Sequence, residues 1–239
     1  MQILINISDV RKYRQLGKQI NTDNFNGHVR AIQENQLTEL IGSGLAYKFF
    51  DFIDNGFTNL TGIFTYISVN SFKALASDLS LLSGNALKIN SDIFVICETA
   101  IYDGTDTVLT VKGYELPTTI SNIGFNINTD YVNLLNGKTY TDSGNTVFFT
   151  GLRPFLVWNL LISLINDNNL KQSDVGNVSI LGDNFALAST AQLNMARSEY
   201  QQNANRESNR IINYINSVNL SGASTQSRVN TISTDFFII

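Results

Sequence analysis

The chain has 239 residues, 43% of them hydrophobic, and a formal net charge of −4, which allows one or two compact domains with a buried core. Only 15% of residues are charged, and 30 asparagines supply much of the polar surface instead. With 16 Lys+Arg against 20 Asp+Glu, the chain lacks the basic face by which phosphate neutralisation holds a protein to nucleic acid.

The N-terminal quarter reads as helical. Ser8 and Asp9 can cap a short helix through about Leu16, stopped by Gly17. Val29, Ile32, Leu37, Leu40 and Ile41 recur near helical spacing with polar residues between them, and Gly42-Ser43-Gly44 should end that helix. A third helix follows through Tyr47, Phe49, Phe50 and Ile53 to Asn55-Gly56. From 58 to 129 the composition shifts to Gly, Thr, Ser and β-branched residues, which reads as a β-rich insertion. Within it Ser71 is expected to cap a helix through Phe72, Leu75, Leu79 and Leu82, closed by Gly84. Ile93, Val95 and Cys97 mark a strand over Asp92 to Ala100, and Asp103-Gly104-Thr105-Asp106 turns it back into Val108 to Val111.

Helix resumes at Tyr131, Leu134 and Leu135, followed by a hairpin of Thr139–Thr141 and Val147–Phe149. The segment from Gly151 to Ile165 carries Pro154 where a first helical turn tolerates it, and it is apolar on nearly every side. That pattern predicts the central buried helix of the body. Residues 166–185 read as a polar loop, and a long helix follows from about Asp183 to Val218. Its middle, Tyr200 to Arg210, is polar on every side, so it is expected to lie in water or against another chain. After a small, polar stretch the chain ends Phe236-Phe237-Ile238-Ile239, four bulky groups that lose roughly 1.5–3 kcal/mol each if left in water.

Catalytic chemistry finds little footing. His28 is the only histidine, and its place on an amphipathic helix favours a surface role over a catalytic base. Cys97 is the only cysteine, which excludes an intrachain disulfide, suits a reducing cytoplasm and reads as a buried structural thiol. Asp103-Gly-Thr-Asp106 and Asp167-Asn-Asn read as turns, without calcium-loop spacing. Asp51 and Asp54 read as a solvated helix edge, and Gly42-Ser-Gly44 lacks a nucleotide fingerprint. Trp158 and Phe155 are core residues. No metal, cofactor or catalytic residue is assigned. Met1–Asn6 carries neither the basic region nor the apolar run of a secretory signal, and no stretch reaches the ~18 apolar residues of a spanning helix. The sequons at Asn6, Asn59, Asn177 and Asn219 read as coincidence in so asparagine-rich a chain.

Asn133-Leu-Leu-Asn-Gly-Lys-Thr-Tyr140, a short hairpin, then Phe149-Thr-Gly-Leu-Arg-Pro-Phe-Leu-Val-Trp-Asn-Leu-Leu-Ile resembles tailed-phage virion proteins of Bacteroides-type phages, including crAss-like ones. Ile7-Ser-Asp-Val-Arg-Lys-Tyr13 and the helix ending Leu40-Ile-Gly42 resemble the opening of the same family. The resemblance covers 1–57 and 130–218. It implies a mainly α fold, a helical connector body over those residues with a central buried helix and a small hairpin; the β-rich insertion 58–129 and the extended C-terminal arm, 219–239, depart from the family pattern. It implies a head–tail connector or adaptor ring of the virion neck, non-enzymatic, assembled in the bacterial cytoplasm. The implied ring is a dodecamer that binds the portal and neighbouring neck or tail proteins, with DNA passing nearby and no membrane contact.

Tyr200, Arg206, Arg210, Phe236, Phe237, Ile238 and Ile239 are the expected subunit or partner contacts, the 221–239 arm adding to an adjacent subunit or an adjoining ring as an extra strand. Two other readings stand beside this one. One is a tail-terminator or tail-completion protein of the same particle. The other is a soluble accessory module that uses the insertion to hold a carbohydrate or small ligand, with Tyr102, Tyr114 and Phe125 as available aromatic surfaces.

Overall fold

The structure is a computed structural model that describes residues 2–13, 22–166, 178–181, 184–187 and 190–220. In chain order the helices are α1 (Ile7–Arg11), α2 (Thr22–Ile32), α3 (Thr38–Ile41), α4 (Ser43–Asn55), α5 (Asp130–Asn136), α6 (Leu152–Asn166) and α7 (Thr190–Val218), with a π-helical turn, Gln33–Leu37, joining α2 to α3. The strands are β1 (Thr58–Leu60), β2 (Ile63–Ser68), β3 (Ser71–Leu75), β4 (Ala86–Ile89), β5 (Ile93–Tyr102), β6 (Thr107–Lys112), β7 (Ile123–Asn126), β8 (Lys138–Asp142), β9 (Asn145–Phe149), β10 (Val178–Leu181) and β11 (Asn184–Leu187). Gly44–Leu152 forms one compact unit, and Ile3–Ser43 with Arg153–Asn219 forms a second.

The expected mainly α fold is corrected by a seven-stranded antiparallel sheet, ordered β1-β7-β4-β5-β6-β3-β2, which dominates the middle of the chain. β1 and β2 stand at opposite edges of that order, yet only Thr61 and Gly62 separate them in sequence. Seven flat strands would hold those edges about 29 Å apart at the usual spacing of about 4.8 Å. The link from Leu60 to Ile63 spans at most about 11 Å. The sheet must therefore roll up until its edges meet at that corner. Phe72, Leu87, Ile89, Val95, Cys97, Leu109, Val111 and Ile123 fill the interior, and Leu82, Leu116 and Ile120 from the connecting segments complete it.

Local chemistry explains most of the register. The Asp103–Asp106 turn closes β5 onto β6, as its sequence predicts, with Asp103 Oδ1 accepting from the Thr105 and Asp106 amides at 2.9 and 2.8 Å. A β-bulge at Glu98 then re-phases β5, so Val95 and Cys97 face inward before it and Ala100 after it.

The expected helix over Ser71–Gly84 is not formed. Ser71–Leu75 is β3, paired on both sides, because Phe72 and Ala74 reach the interior only from an extended backbone. The following residues are held in a turn by β6. Ala76 donates to Asp106 Oδ1 at 2.9 Å, Thr107 donates to Ser77 O at 2.6 Å, and Leu79 donates to Thr107 Oγ1 at 2.9 Å.

One half of the outer sheet face is covered. Phe94 on β5 meets Phe57, whose ring in turn meets Phe52 of α4, and Asn136 of α5 donates to the Phe94 carbonyl. Lys88 of β4 donates to Ile53 O at 3.0 Å and lies over the Phe57 and Phe94 rings, and burial holds its pKa below the usual lysine range.

In the helical unit, Val29, Ile32, Leu37 and Ile41 are all buried. The step from Ile32 to Leu37 is five residues, one too many for an α-helix to keep both on the same face. The π turn absorbs the extra residue, and Gly42, at φ +80°, ends the helix where expected. α6 buries Leu152, Phe155, Leu156, Val157, Trp158, Leu160 and Leu161, in agreement with its sequence. α1 is capped by Asn6 rather than by Ser8 or Asp9: Asn6 Oδ1 accepts from the Asp9 amide at 3.0 Å, and Asp9 Oδ2 accepts from the Asn6 amide at 2.9 Å. The expected extension to Leu16 and Gly17 lies outside the described residues. A β10–β11 hairpin occupies part of the stretch read as loop, and α7 begins at Thr190 rather than Asp183.

The β8–β9 hairpin is pinched at its base by two glycines. Gly137 has φ +93° and Gly151 φ +88°, and a Cβ on either would lie within 3.0 Å of backbone from the opposite side of the pinch. Gly137→Ala or Gly151→Ala should therefore cost at least about 2 kcal/mol, since backbone strain and collision add. Urea unfolding at equilibrium would check this, and a variant within 0.5 kcal/mol of wild type would contradict the pinch.

Candidate functional site

Among the described residues, no group of His, Cys, Asp and Glu could hold a metal ion, and no helix is long and apolar enough to cross a membrane. His28 is half-buried, with Nδ1 3.2 Å from Ser163 Oγ. Cys97 is buried in the sheet, and desolvation, reinforced by the charge of Glu98, pushes its thiol up to about 11. Such a thiol stays protonated at neutral pH and is a poor nucleophile. Asp51 and Asp54 are exposed on α4: Asp51 accepts from Asn55 Nδ2 at 3.0 Å and Asp54 from the Gln2 amide at 3.2 Å. Asp103 and Asp106 are turn formers, and Lys73 Nζ donates to Asp106 Oδ2 at 2.8 Å. Asp167 lies outside the described residues.

Two features remain as candidates. The first is a buried polar node in the helical unit, which the sequence reading missed. Arg153, in the first turn of α6, donates through Nη1 to the Leu4 carbonyl and to Asp9 Oδ2, the latter at 3.3 Å. Gln33, fully buried at the π turn, accepts the Leu4 amide at 2.8 Å. The node thus ties the N-terminal segment to α6 and to the π turn through both polar groups of the Leu4 backbone. Its signal in the sequence is Arg153 itself, a lone cation in a run that is otherwise apolar.

Beside the node, Tyr13 meets Trp158 edge-on at 5.3 Å, and Trp158 meets Tyr200 at 5.7 Å. Burial raises the Tyr13 phenol above its usual range, with the Glu207 and Asp9 carboxylates adding to the shift. This keeps it protonated, a hydrogen-bonding group rather than a base. Tyr200, expected at a partner contact, is 6% exposed and packs on Trp158 of its own chain. The polar middle of α7 has a buried stripe after all, through Tyr200, Ala204, Glu207, Ser208, Ile211 and Tyr214. Glu207 is buried with its charge met by Arg210 at 2.9 Å and Arg206 at 3.5 Å. Those two arginines remain largely exposed beyond the pair. Phe236, Phe237, Ile238 and Ile239 lie outside the described residues.

The second feature is the other half of the outer sheet face, on β2, β3, β6 and the far end of β5. Ile63 is 69% exposed, Ile101 65% and Ile67 51%, set among Thr65, Lys73, Thr99 and Thr110. Thr99 and Thr110 Oγ atoms meet at 2.7 Å across β5 and β6. Three exposed isoleucines on one regular face suit a partner surface better than a small-molecule cleft.

A family model described as "Family of unknown function (DUF6712)" matches residues 115–228, just under half of the chain, and the chain is similar to that family there. The match takes in the glycine pinch, α6 and α7, and β1 to β6 precede it. No curated protein and no solved structure matches the chain.

Removing one partner of the node leaves a buried charge unanswered. Arg153→Met should destabilise the protein by about 3–5 kcal/mol, and adding Asp9→Asn should recover part of that loss in a double-mutant cycle of urea unfolding. Additive losses would show that the two groups do not interact.

The turn makes a separate prediction. The Lys73 hydrogen bond, then the Ala76 amide, hold Asp106 below the ordinary aspartate value of 3.8. Its contribution to the turn is present above the unfolded value and is lost as pH falls through the folded one. The Ala76 amide resonance should titrate with a midpoint below 3.8, and a midpoint at or above it would refute the pairing.

Proposed function

We propose that this chain is a structural virion protein of a tailed phage, forming a head–tail connector ring that joins portal to tail and carries out no catalysis. The observation that carries the reading is the bare outer face around Ile63, Ile67 and Ile101, which a lone subunit would leave in water. Ring subunits meet head-to-tail, so each needs two different surfaces that neighbours complete. The phage-type motif supports the virion part. Its glycines are the two that pinch the β8–β9 hairpin, and its Gly-Leu-Arg-Pro run supplies Arg153 to the buried node. Arg206 and Arg210 offer further exposed contacts on α7, whereas Tyr200 serves its own core.

A glycan-binding role draws less support. Tyr114 and Phe125 are half-buried against the sheet interior, which leaves Tyr102 as the one exposed ring of the three aromatics.

Native mass spectrometry of the full chain, alone and mixed with a portal ring, tests the proposal. A discrete cyclic oligomer that captures the portal is expected, and a monomer at micromolar concentration that ignores it would overturn the reading. Ile101→Asp lies on the bare face, so it should lower the oligomer mass while changing unfolding stability by no more than about 0.5 kcal/mol. An undiminished ring in that variant would remove this face from the contact.

A further inference from the structure

The rolled sheet has a seam. β1 and β2 meet at the Thr61-Gly62 corner but are not hydrogen-bonded to each other, so each is an edge. β1 has three residues, short enough to offer little, whereas β2 has six. Natural edge strands are guarded by charge, proline, brevity or a covering element. β2, Ile-Phe-Thr-Tyr-Ile-Ser, has no charge, no proline and no glycine, and no strand lies beside its outer edge among the described residues.

The interior is unfinished along the same seam. Phe72, Leu87, Val95 and Leu109, on strands paired on both sides, are fully buried, while Phe64 and Tyr66 on β2 and Leu60 on β1 remain part-exposed. One further inward-facing row of side chains is what the seam lacks.

We infer that the β2 edge accepts residues 231–239 of a second copy of this chain as an added strand. The segment Thr-Ile-Ser-Thr-Asp-Phe-Phe-Ile-Ile is rich in β-branched and aromatic residues and holds one charge and no proline. Ile232, Thr234, Phe236 and Ile238 fall on one side of an extended backbone, and Thr231, Ser233, Asp235, Phe237 and Ile239 on the other. The first set suits the half-covered row at Phe64 and Tyr66, and Phe237 and Ile239 of the second would lie on the outer face beside the exposed Ile63 and Ile67. Residues 221–230 are mostly small or polar. The twelve residues from Leu220 to Ile232 reach at most about 40 Å when extended, enough to cross a subunit contact. In a head-to-tail ring every copy gives one strand and receives one, so no β2 edge is left uncovered. The inference rests on the self-association in the proposed function and not on the virion assignment.

The test uses the full chain carrying Thr65→p-benzoylphenylalanine, prepared as an equal mixture of ¹⁵N-labelled and unlabelled protein, irradiated and digested with trypsin. Cleavage after Arg228 releases Val229–Ile239, and the expected product joins that peptide to the β2 peptide with mixed isotopes. Phe236→Asp with Ile238→Asp should lower its yield at least tenfold and reduce the oligomer mass. Crosslinks confined to one isotope would show that each chain fills its own seam and would overturn the exchange. No crosslink to 229–239 within a persisting oligomer would sink this inference and leave the assembly reading standing. A monomer without that crosslink would sink both.

Discussion

A two-residue link fixes the shape of the sheet. Because Thr61-Gly62 joins the two strands that hydrogen-bond order places farthest apart, the seven strands cannot lie flat. Rolling gives the sheet an inside, and that inside is the core of this unit: Phe72, Leu87, Val95, Cys97 and Leu109 are buried there. It also makes the two surfaces unequal. α4, Phe57 and α5 cover the outside over β7, β4 and β5, where Phe94 and Ala86 are buried, whereas β2, β3 and β6 keep their outer face in water.

The helical unit depends on a different constraint. A guanidinium in the first turn of a buried helix must find a carboxylate and a carbonyl, because desolvation of an unanswered charge exceeds what packing recovers. Asp9 and the Leu4 carbonyl answer it, and Gln33 takes the remaining polar group of Leu4. The capping box that holds Asp9 in α1 and the π turn that brings Gln33 to the interior thus act on the same short N-terminal segment. Glu207 repeats the pattern on α7, a buried carboxylate answered by two arginines whose outer ends stay in solvent.

These arrangements suit a building block. Among the described residues, Arg153 and Glu207 each meet an opposite charge within the fold, and the Cys97 thiol is held protonated. The β2 edge and the face carrying the exposed Ile63, Ile67 and Ile101 are the surfaces on which the proposed subunit contacts rest.

Much of this architecture was legible along the chain because its causes are local. Turn residues announced the β5–β6 and β8–β9 hairpins, continuous apolarity announced α6, and Gly42 announced a helix end. The misreadings share one cause. Phe72, Leu75, Leu79 and Leu82 carry a helical period, but β2 and β6 claim the first two positions for a strand. Tyr200 to Arg210 looked polar all round because Glu207 and Ser208 occupy core positions that only neighbouring charges and packing make tolerable. The pairing of Arg153 with Asp9, 144 residues apart, was likewise out of reach. The sequence by itself determined turns, the helix stop at Gly42 and the most buried helix, which depend on a few adjacent residues. Tertiary structure alone decided strand order, the rolled sheet and the partners of buried charge, because those energies belong to groups that meet only after the chain has folded.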